Sequence, residues 1–123
     1  MEEADIREAK APKGCSLFID EVTDIIGSNI GDFDFDANRL ADMMNTSLVT
    51  LNRKIKRATG CNTTIYIRRL KLEKAKYLLE RSDLTIMEIQ EACGFDMQSY
   101  FSRTFKKLFG MSPLKYRTGR KKL

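Results

Sequence analysis

The chain has 123 residues, enough for one domain or two very small subdomains, and a net charge of +5. It contains no histidine, the commonest general base and zinc ligand, and its three cysteines form no CxxC pair, so neither catalysis nor a disulfide framework is expected. Because no apolar run approaches the ~20 residues of a membrane span and no signal peptide opens the sequence, we expect a soluble, cytoplasmic protein. We also expect that it is not an enzyme and that it binds no cofactor or metal.

The net charge hides an asymmetry between the two ends of the chain. Residues 1–46 contain four Lys or Arg and eleven Asp or Glu, a net charge of −7, whereas residues 47–123 contain eighteen and six, a net charge of +12. Basic sequence of this density favours a polyanionic partner, nucleic acid first and an anionic membrane second. A lysine-rich face that is merely solvated is the alternative.

The acidic end predicts a connector followed by a helix. Residues 1–15 show no apolar periodicity and are predicted to be a linker or disordered tail, the cut end of a connector. Ser16 is predicted to cap a first helix that ends near Asn29. The inward face of that helix is formed by Phe18, Val22, Ile25 and Ile26.

The three aspartates of the segment GDFDFD resemble a calcium loop. Ala37 and Met43, however, stand where an EF-hand loop beginning at the first of them needs Gly and Glu. We therefore predict no metal site and assign Asp36 as the N-cap of a short second helix, 37–44.

The basic portion begins with two more predicted helices. Ser47 is predicted to cap a third helix that ends at Gly60, and Asn62 to cap a long fourth helix, 63–81. The third helix has Leu51, Ile55 and Ala58 on its inward face, and Val49, Asn52, Arg53 and Lys56 on the other side. The fourth helix has a wide apolar surface, and we expect the rest to be covered by Arg68, Arg69, Lys71, Lys74 and Lys76.

Three further helices complete the chain. Thr85 and Glu88 form a capping-box pattern at the start of the fifth helix, and Asp96 is predicted to cap the sixth. The sixth helix is predicted to bury an apolar stripe, namely Phe101, Phe105, Leu108 and Phe109. Ser112 and Pro113 predict the start of a last short helix, which a basic tail, 119–123, follows. No strand pattern is found, so the fold class is predicted to be all-α.

An internal repeat determines the predicted architecture. A shift of 50 residues places Arg53 on Arg103 and Gly60 on Gly110, and a shift of 49 places Asn45 on Gly94. Each half is a short helix, a tight turn and a longer helix, which is the helix-turn-helix pattern whose second helix enters the DNA major groove. The predicted division is two helix-turn-helix subdomains, 16–62 and 82–118, joined by the bridging helix 63–81, with recognition helices at about 47–58 and 97–108.

Over residues 17–118 the chain resembles the DNA-binding domain of AraC/XylS-type transcription regulators. The segment LTIMEIQEACGFDMQSYFSRTFKKLFGMSPLKYR follows the family signature, and RRLKLEKAKYLLE matches its bridging helix. The resemblance implies a homeodomain-like fold of about seven helices that binds double-stranded DNA near the nucleoid. Gln90 departs from the alanine usual in the family and is expected to alter the angle of the second recognition helix, and Leu48 and Val49 are less polar than usual.

The resemblance also implies partners. Members usually join such a domain to a sensing or dimerising module, which is absent from this chain, and work with RNA polymerase. The same domain ends bacterial hybrid two-component regulators, where it is the C-terminal output domain, and the acidic first helix is compatible with that setting.

The predicted DNA-binding residues lie on the two recognition helices. Arg53 and Arg103 are predicted to bind guanine bidentately, and Asn52 and Gln98 to bind adenine. Lysines near the groove walls are expected to hold phosphates. The full set is Ser47, Val49, Thr50, Asn52, Arg53, Lys56, Gln98, Ser99, Ser102, Arg103, Lys106 and Lys107.

Two alternatives and one geometric expectation accompany this prediction. Each arginine could instead form a surface ion pair, and the whole domain could be a basic helical adaptor for an anionic membrane or an acidic protein. The mixture of Gln, Asn and Ser with Arg favours base reading over a charge-only stripe. A bridging helix of about 19 residues spans ~28 Å, whereas major grooves repeat every ~34 Å. We therefore expect a single protomer to bend an asymmetric site.

Overall fold

The computed structural model describes residues 16–121 as seven α-helices without a strand among these residues, which confirms the predicted all-α class. The predicted linker at 1–15, the side chain of Ser16 and the end of the basic tail lie outside the described residues. The helices are α1 (Ser16–Ser28), α2 (Ala37–Met43), α3 (Leu48–Thr59), α4 (Thr63–Arg81), α5 (Ile86–Ala92), α6 (Gln98–Phe109) and α7 (Pro113–Lys121). Within this part of the chain no helix is long and apolar enough to cross a membrane.

The described chain divides into two compact units. The first unit contains residues 16–29 and 34–69, and the second contains residues 30–33 and 70–121. Each unit holds one short helix followed by one longer helix, α2 and α3 in the first and α5 and α6 in the second. The long helix α4 supplies residues to both units.

The first unit forms because capping side chains start its helices and because the apolar faces of these helices pack against one another. The side chain of Asp36 accepts a hydrogen bond from the backbone N–H of Arg39 (3.0 Å), so the predicted N-cap of α2 is confirmed. At the start of α4, the Asn62 side chain accepts from the N–H of Ile65 (2.9 Å), which confirms that cap too. The fully buried side chains include Val22, Ile26, Leu40, Leu51 and Ile55, as the helical spacing predicts.

The second unit is built around aromatic rings. The capping box at Thr85 and Glu88 is present, with both reciprocal hydrogen bonds, at 2.8 and 3.0 Å. Phe101 and Phe105 of α6 are fully buried, and the ring centroids of Phe95 and Phe101 lie 5.0 Å apart. The cluster is completed by Leu72, Ala75, Leu79, Ile89 and Cys93. Burial of this one stripe leaves the opposite side of α6 exposed.

Two predictions about the second unit are wrong, those for Asp96 and Lys71, and the last helix is longer than predicted. Asp96 is not the cap of α6, because the helix begins at Gln98 and the capping position is held by Met97, whose side chain makes no capping hydrogen bond. The last helix continues to Lys121, so the predicted basic tail is helical over 119–121. Lys71 is not on the exposed face of α4 but is buried, since it lies four residues before Ala75 and therefore on the apolar side.

Candidate nucleic-acid interface

The backbone repeats the same turn and the same helix end in both units. The turn before the longer helix contains a residue with positive φ in each case, Asn45 at 57° and Gly94 at 79°. The longer helices both end in a left-handed glycine, Gly60 and Gly110, each at 88°. The N–H groups of these glycines donate to the carbonyls of Lys56 (2.8 Å) and Lys106 (2.7 Å). The turns of the two units, which lie 49 positions apart, and the ends of their longer helices, which lie 50 positions apart, therefore have equivalent backbone conformations.

The turn of the second unit admits only glycine. A Cβ atom on Gly94 would lie 2.2 Å from the carbonyl oxygen of Ile30, which packs directly on the turn. A side chain there would also have to adopt a positive φ, which L-residues rarely do. The segment 30–33 thus holds the turn that precedes α6.

Helix α3 presents most of its predicted contact residues to solvent. Arg53 and Lys56 are exposed, and Val49 is 73% exposed. Leu51 and Ile55 on the opposite face are fully buried, so rotation of the helix about its axis is fixed by packing. The exposed side of α3 is thus polar and basic and carries one apolar side chain, that of Val49. A major groove that contains thymine methyl groups can accept such a surface.

The first turn of α3 engages two predicted residues with each other. The Ser47 hydroxyl accepts from the N–H of Thr50 and donates to the Thr50 hydroxyl, both at 3.1 Å. Ser47 is exposed and Thr50 is half-buried. Both side chains therefore stabilise the helix start, and their predicted contact with DNA remains a prediction.

Asn52 has a structural role inside its own unit. Its side-chain oxygen accepts a hydrogen bond from the backbone N–H of Thr63 at 3.0 Å, and the residue is half-buried. Bidentate binding to adenine needs that oxygen as well as the amide nitrogen. The amide oxygen of Asn52 thus satisfies the first N–H of α4, and its predicted contact with adenine remains a prediction.

Helix α6 exposes the second set of predicted contact residues. Exposed side chains on this helix are Gln98, Ser99, Arg103, Lys106 and Lys107, and Ser102 is half-buried. Lys106 and Lys107 also lie in the last turn, where a positive charge stabilises the carbonyl end of a helix. That structural role is compatible with phosphate binding, because the ammonium groups remain in solvent.

Two aromatic rings connect the core of the second unit to Arg103. The guanidinium carbon of Arg103 lies over the ring of Tyr100, 5.5 Å from its centroid. The Tyr100 ring in turn contacts the ring of Phe95, at 6.1 Å between centroids. Phe95 is buried, so an exposed cationic group is connected through two rings to a fixed point in the turn.

Gln90 holds the same turn from the other side. It is only 7% exposed, and its side-chain amide donates to the carbonyl of Phe95 (3.0 Å). The N–H of Phe95 also donates to the backbone carbonyl of Gln90 (3.0 Å). Both backbone polar groups of Phe95, its N–H and its carbonyl, are therefore bound by one residue, where an alanine could bind only the N–H. Its predicted effect on the angle of α6 remains a prediction.

Lys71 is a buried cation, although the sequence pattern predicts that it is exposed. Its ammonium donates to the carbonyl of Gly94 (3.3 Å) and lies 5.6 Å from the ring centroid of Phe95. Burial lowers the pKa of Lys71 from its usual 10.5, while the charges of Cys93, Asp96 and Asp32 raise it in part. The lysine thus stabilises the turn before α6 at a cost in desolvation.

Arg117 is a second residue that sequence reasoning missed. From α7 its guanidinium donates to four backbone carbonyls at the end of α4 and in the following loop, those of Leu78, Leu79, Ser82 and Leu84, at 2.5–3.4 Å. The carbonyl of Leu78 also accepts from the N–H (3.0 Å) and the hydroxyl (2.8 Å) of Ser82, and the guanidinium adds a donor at a helix end, where carbonyls commonly lack intrahelical partners. The only available signal was the arginine at the end of the family signature.

No group of three or more Cys, Asp or Glu side chains within residues 16–121 is arranged to hold a metal ion. The aspartates of the segment GDFDFD instead include the N-cap of α2. The exposed chemistry of α3 and α6 consists of guanidinium, ammonium, hydroxyl and amide groups, which bind anions and base edges.

Comparison with known proteins agrees with this geometry. The helix-turn-helix domain family matches residues 40–119, which is more than half of the chain. The HTH-type transcriptional activator RhaS of Escherichia fergusonii is 42% identical over 81 residues, which cover 66% of this chain and 29% of that protein. The chain therefore spans less than a third of the length of this relative.

Two solved structures have a similar fold. The C-terminal domain of AraT, a response regulator from Geobacillus stearothermophilus, aligns with a TM-score of 0.77 and 35% identity, over 83% of this chain and 84% of that one. The DNA-binding domain of AdpA, a global transcriptional factor solved in complex with a target DNA, aligns with a TM-score of 0.75 and 27% identity, over 80% of this chain and 88% of that one.

Proposed function

This chain belongs to the AraC-type helix-turn-helix family, and on that premise we propose that it is the sequence-specific DNA-binding part of a transcription regulator and not an enzyme. One observation carries the proposal. Two units of different sequence repeat the same turn, the same helix end and an exposed arginine at the same place, Arg53 and Arg103. Packing explains the repeated apolar face but not the repeated exposed arginine.

The proposed mechanism separates base reading from phosphate binding. We propose that α3 and α6 enter successive major grooves, where Arg53 and Arg103 each bind O6 and N7 of a guanine, a pairing worth ~1–3 kcal/mol of discrimination. Val49 suits a thymine methyl group, and Gln98 can bind adenine. Lys56, Lys106 and Lys107 hold phosphates and fix the register. Four more members of the set, Ser47, Thr50, Ser99 and Ser102, can reach either a base edge or a phosphate.

We propose that the helix-turn-helix subdomains, 16–62 and 82–118, act together in one protomer and bend the DNA between them. Sequence preference would then extend to base steps that no side chain touches. A circular-permutation gel tests this expectation, with a DNA duplex that has been selected for binding from a random pool of sequences. Straight DNA with both units bound would contradict it.

The partners follow as proposals from the relatives. AraT is a response regulator, and RhaS is a transcriptional activator more than three times as long as the aligned region. We propose that this domain likewise works with a sensing or dimerising module, in a two-component setting, and that it acts in the cytoplasm where chromosomal DNA and RNA polymerase are accessible.

Selection of bound duplexes from a random pool tests the proposed function. The chain should enrich one sequence and bind it ~10³-fold or more tightly than random duplex at fixed salt. Heparin and anionic vesicles serve as competitors in the same assay. Equal binding to all duplexes, together with displacement by vesicles, would favour the basic adaptor instead.

A further inference from the structure

We propose that Tyr100 is a positioning residue, whose ring holds the Arg103 guanidinium in the orientation in which it reads a base. The inference deepens the proposed function, on which it depends. It assigns a specificity role to a tyrosine that was not among the predicted DNA-binding residues.

The geometry places Tyr100 between a buried ring, that of Phe95, and an exposed cationic group, that of Arg103. On α6 it precedes Arg103 by three residues, so the two side chains lie on the same side of the helix. The guanidinium carbon lies over the tyrosine ring at 5.5 Å from the centroid, and the ring is 37% exposed. Its inner edge contacts buried Phe95, whose backbone is bound by Gln90 and whose ring lies near the ammonium of Lys71.

Stacking and base reading use different directions of the guanidinium. A guanidinium binds an aromatic ring through its planar face, whereas its N–H donors point outward in that plane. Arg103 can therefore stay on Tyr100 while two N–H groups bind guanine O6 and N7. Because a free arginine side chain loses rotamer entropy on binding, a pre-formed stack lowers the cost of the bound geometry.

In the first unit, no aromatic residue precedes the equivalent arginine by three positions. The residue equivalent to Tyr100 is Thr50, which precedes Arg53 by three positions and whose hydroxyl accepts from Ser47. Arg53 thus has no aromatic ring at this spacing. We infer that discrimination at the base read by Arg103 is sharper than at the base read by Arg53.

The test compares Tyr100→Leu with Tyr100→Phe on the selected duplex, on the same duplex with each base pair changed in turn, and on random DNA. Leucine retains an apolar contact for Phe95 but removes the ring, and phenylalanine retains the ring. We expect Tyr100→Leu to lower affinity for the selected duplex by two- to five-fold and to relax preference at one base pair. Affinity for random DNA and the salt dependence should not change, and Tyr100→Phe should behave as the parent chain.

The chain supplies a matched control outside the recognition helices. On α4 the guanidinium of Arg81 lies over the ring of exposed Tyr77, 5.1 Å from its centroid. Tyr77→Leu removes the same kind of stack and should leave affinity for the selected and random duplexes unchanged. In an Arg103→Ala background, Tyr100→Leu should have no further effect on base preference.

The outcomes separate the inference from its premise. If the parent chain prefers no sequence, the proposed function fails. If the parent chain is specific but Tyr100→Leu keeps the full base preference, binds more tightly, or loses specific and random binding alike, the positioning role is overturned. Failure of Tyr100→Phe to restore preference overturns it as well. Thermal unfolding of each variant, followed by circular dichroism, shows whether a loss of binding reflects a loss of fold.

Discussion

The side-chain oxygen of Asn52 accepts a hydrogen bond from the backbone N–H of Thr63, the first residue of α4, at 3.0 Å. The equivalent positions in the second unit are Ser102 and Pro113. Proline has no backbone N–H, so the start of α7 needs no such acceptor. The amide oxygen of Asn52 therefore stabilises the start of α4, whereas Ser102 meets no backbone N–H at the equivalent first residue of α7.

Replacement of Asn52 by Ala should lower the free energy of unfolding by about 1–2 kcal/mol, because the N–H of buried Thr63 is left without an acceptor. Urea denaturation measures the change. Ser102→Ala, the equivalent substitution in the second unit, should cost less. In the Asn52→Ala chain, Thr63→Pro should cost less than it does in the parent chain, since the orphaned N–H is removed. Additive costs of the two substitutions would show that this hydrogen bond contributes no stability.

Gly94→Ala should destabilise the second unit at least twice as much as Gly110→Ala. Both glycines have positive φ, but only at Gly94 would the new Cβ collide with a backbone oxygen, that of Ile30 at 2.2 Å; at Gly110 nothing lies within 4 Å. Strained conformation alone costs roughly 1–2 kcal/mol. Midpoints of thermal unfolding compare the two variants directly. Equal midpoints would mean that the segment 30–33 does not constrain the turn.

Arg103→Ala and Lys106→Ala should have different consequences for DNA binding. Arg103→Ala should lower affinity for the selected duplex by ~1–3 kcal/mol and relax one base position, with random DNA little affected. Lys106→Ala should weaken all duplexes alike and reduce the salt slope by about one unit. Arg81→Ala removes the same charge from α4, which is not one of the recognition helices, and is the control in fluorescence anisotropy titrations. Identical behaviour of the first two variants would contradict the division into base readers and phosphate contacts.

The buried thiol of Cys93 should make stability depend on pH in the alkaline range. Burial raises the pKa of this thiol from 9.0 to about 11, against a smaller lowering by Lys74 and Lys71. Between these values the folded chain binds more protons than the unfolded chain, so the free energy of unfolding falls as pH rises. The contribution is complete below pH 9.0 and its loss approaches roughly 2–3 kcal/mol near pH 11.

Comparison with Cys93→Ala isolates this effect. Lys71 has a lowered pKa, so below 10.5 its deprotonation increases stability as pH rises and opposes the thiol. Cys93→Ala removes the Cys93 charge that partly raises the pKa of Lys71, so this opposing effect is at least as strong in the alanine variant. The difference between the two chains in urea denaturation should therefore shrink or reverse between pH 9 and 11 in favour of the alanine variant. A constant difference over that range would contradict the assignment.

The local signals of the sequence predicted most of the fold. Asp36, Asn62 and the pair Thr85 and Glu88 each act within one turn of their own helix, so the sequence alone indicates the helix starts. The exposure of Arg53 and Arg103 followed from the spacing of the apolar residues opposite them. Met97 carries no capping signal, so the sequence alone favours Asp96 as the cap.

The contacts that could not be predicted join residues from different elements. Asn52 reaches across 11 positions, Lys71 across 23 and Arg117 across as many as 39. A helical wheel gives the face on which a side chain lies but not the backbone atom that it meets there. A polar residue on an inward face, such as Lys71, is therefore assigned to solvent unless the tertiary structure is known.

The four carbonyls held by Arg117 bear on how this domain can be shortened or fused. A chain cut before this arginine would leave the carbonyl end of α4 without a cationic cap, and digestion by a protease inside α7 would have the same consequence. A purification tag or fluorescent protein attached at this end therefore needs a spacer that leaves the last helix free to dock. For minimal fragments, the practical boundary lies beyond Lys121 rather than at the end of the recognisable signature.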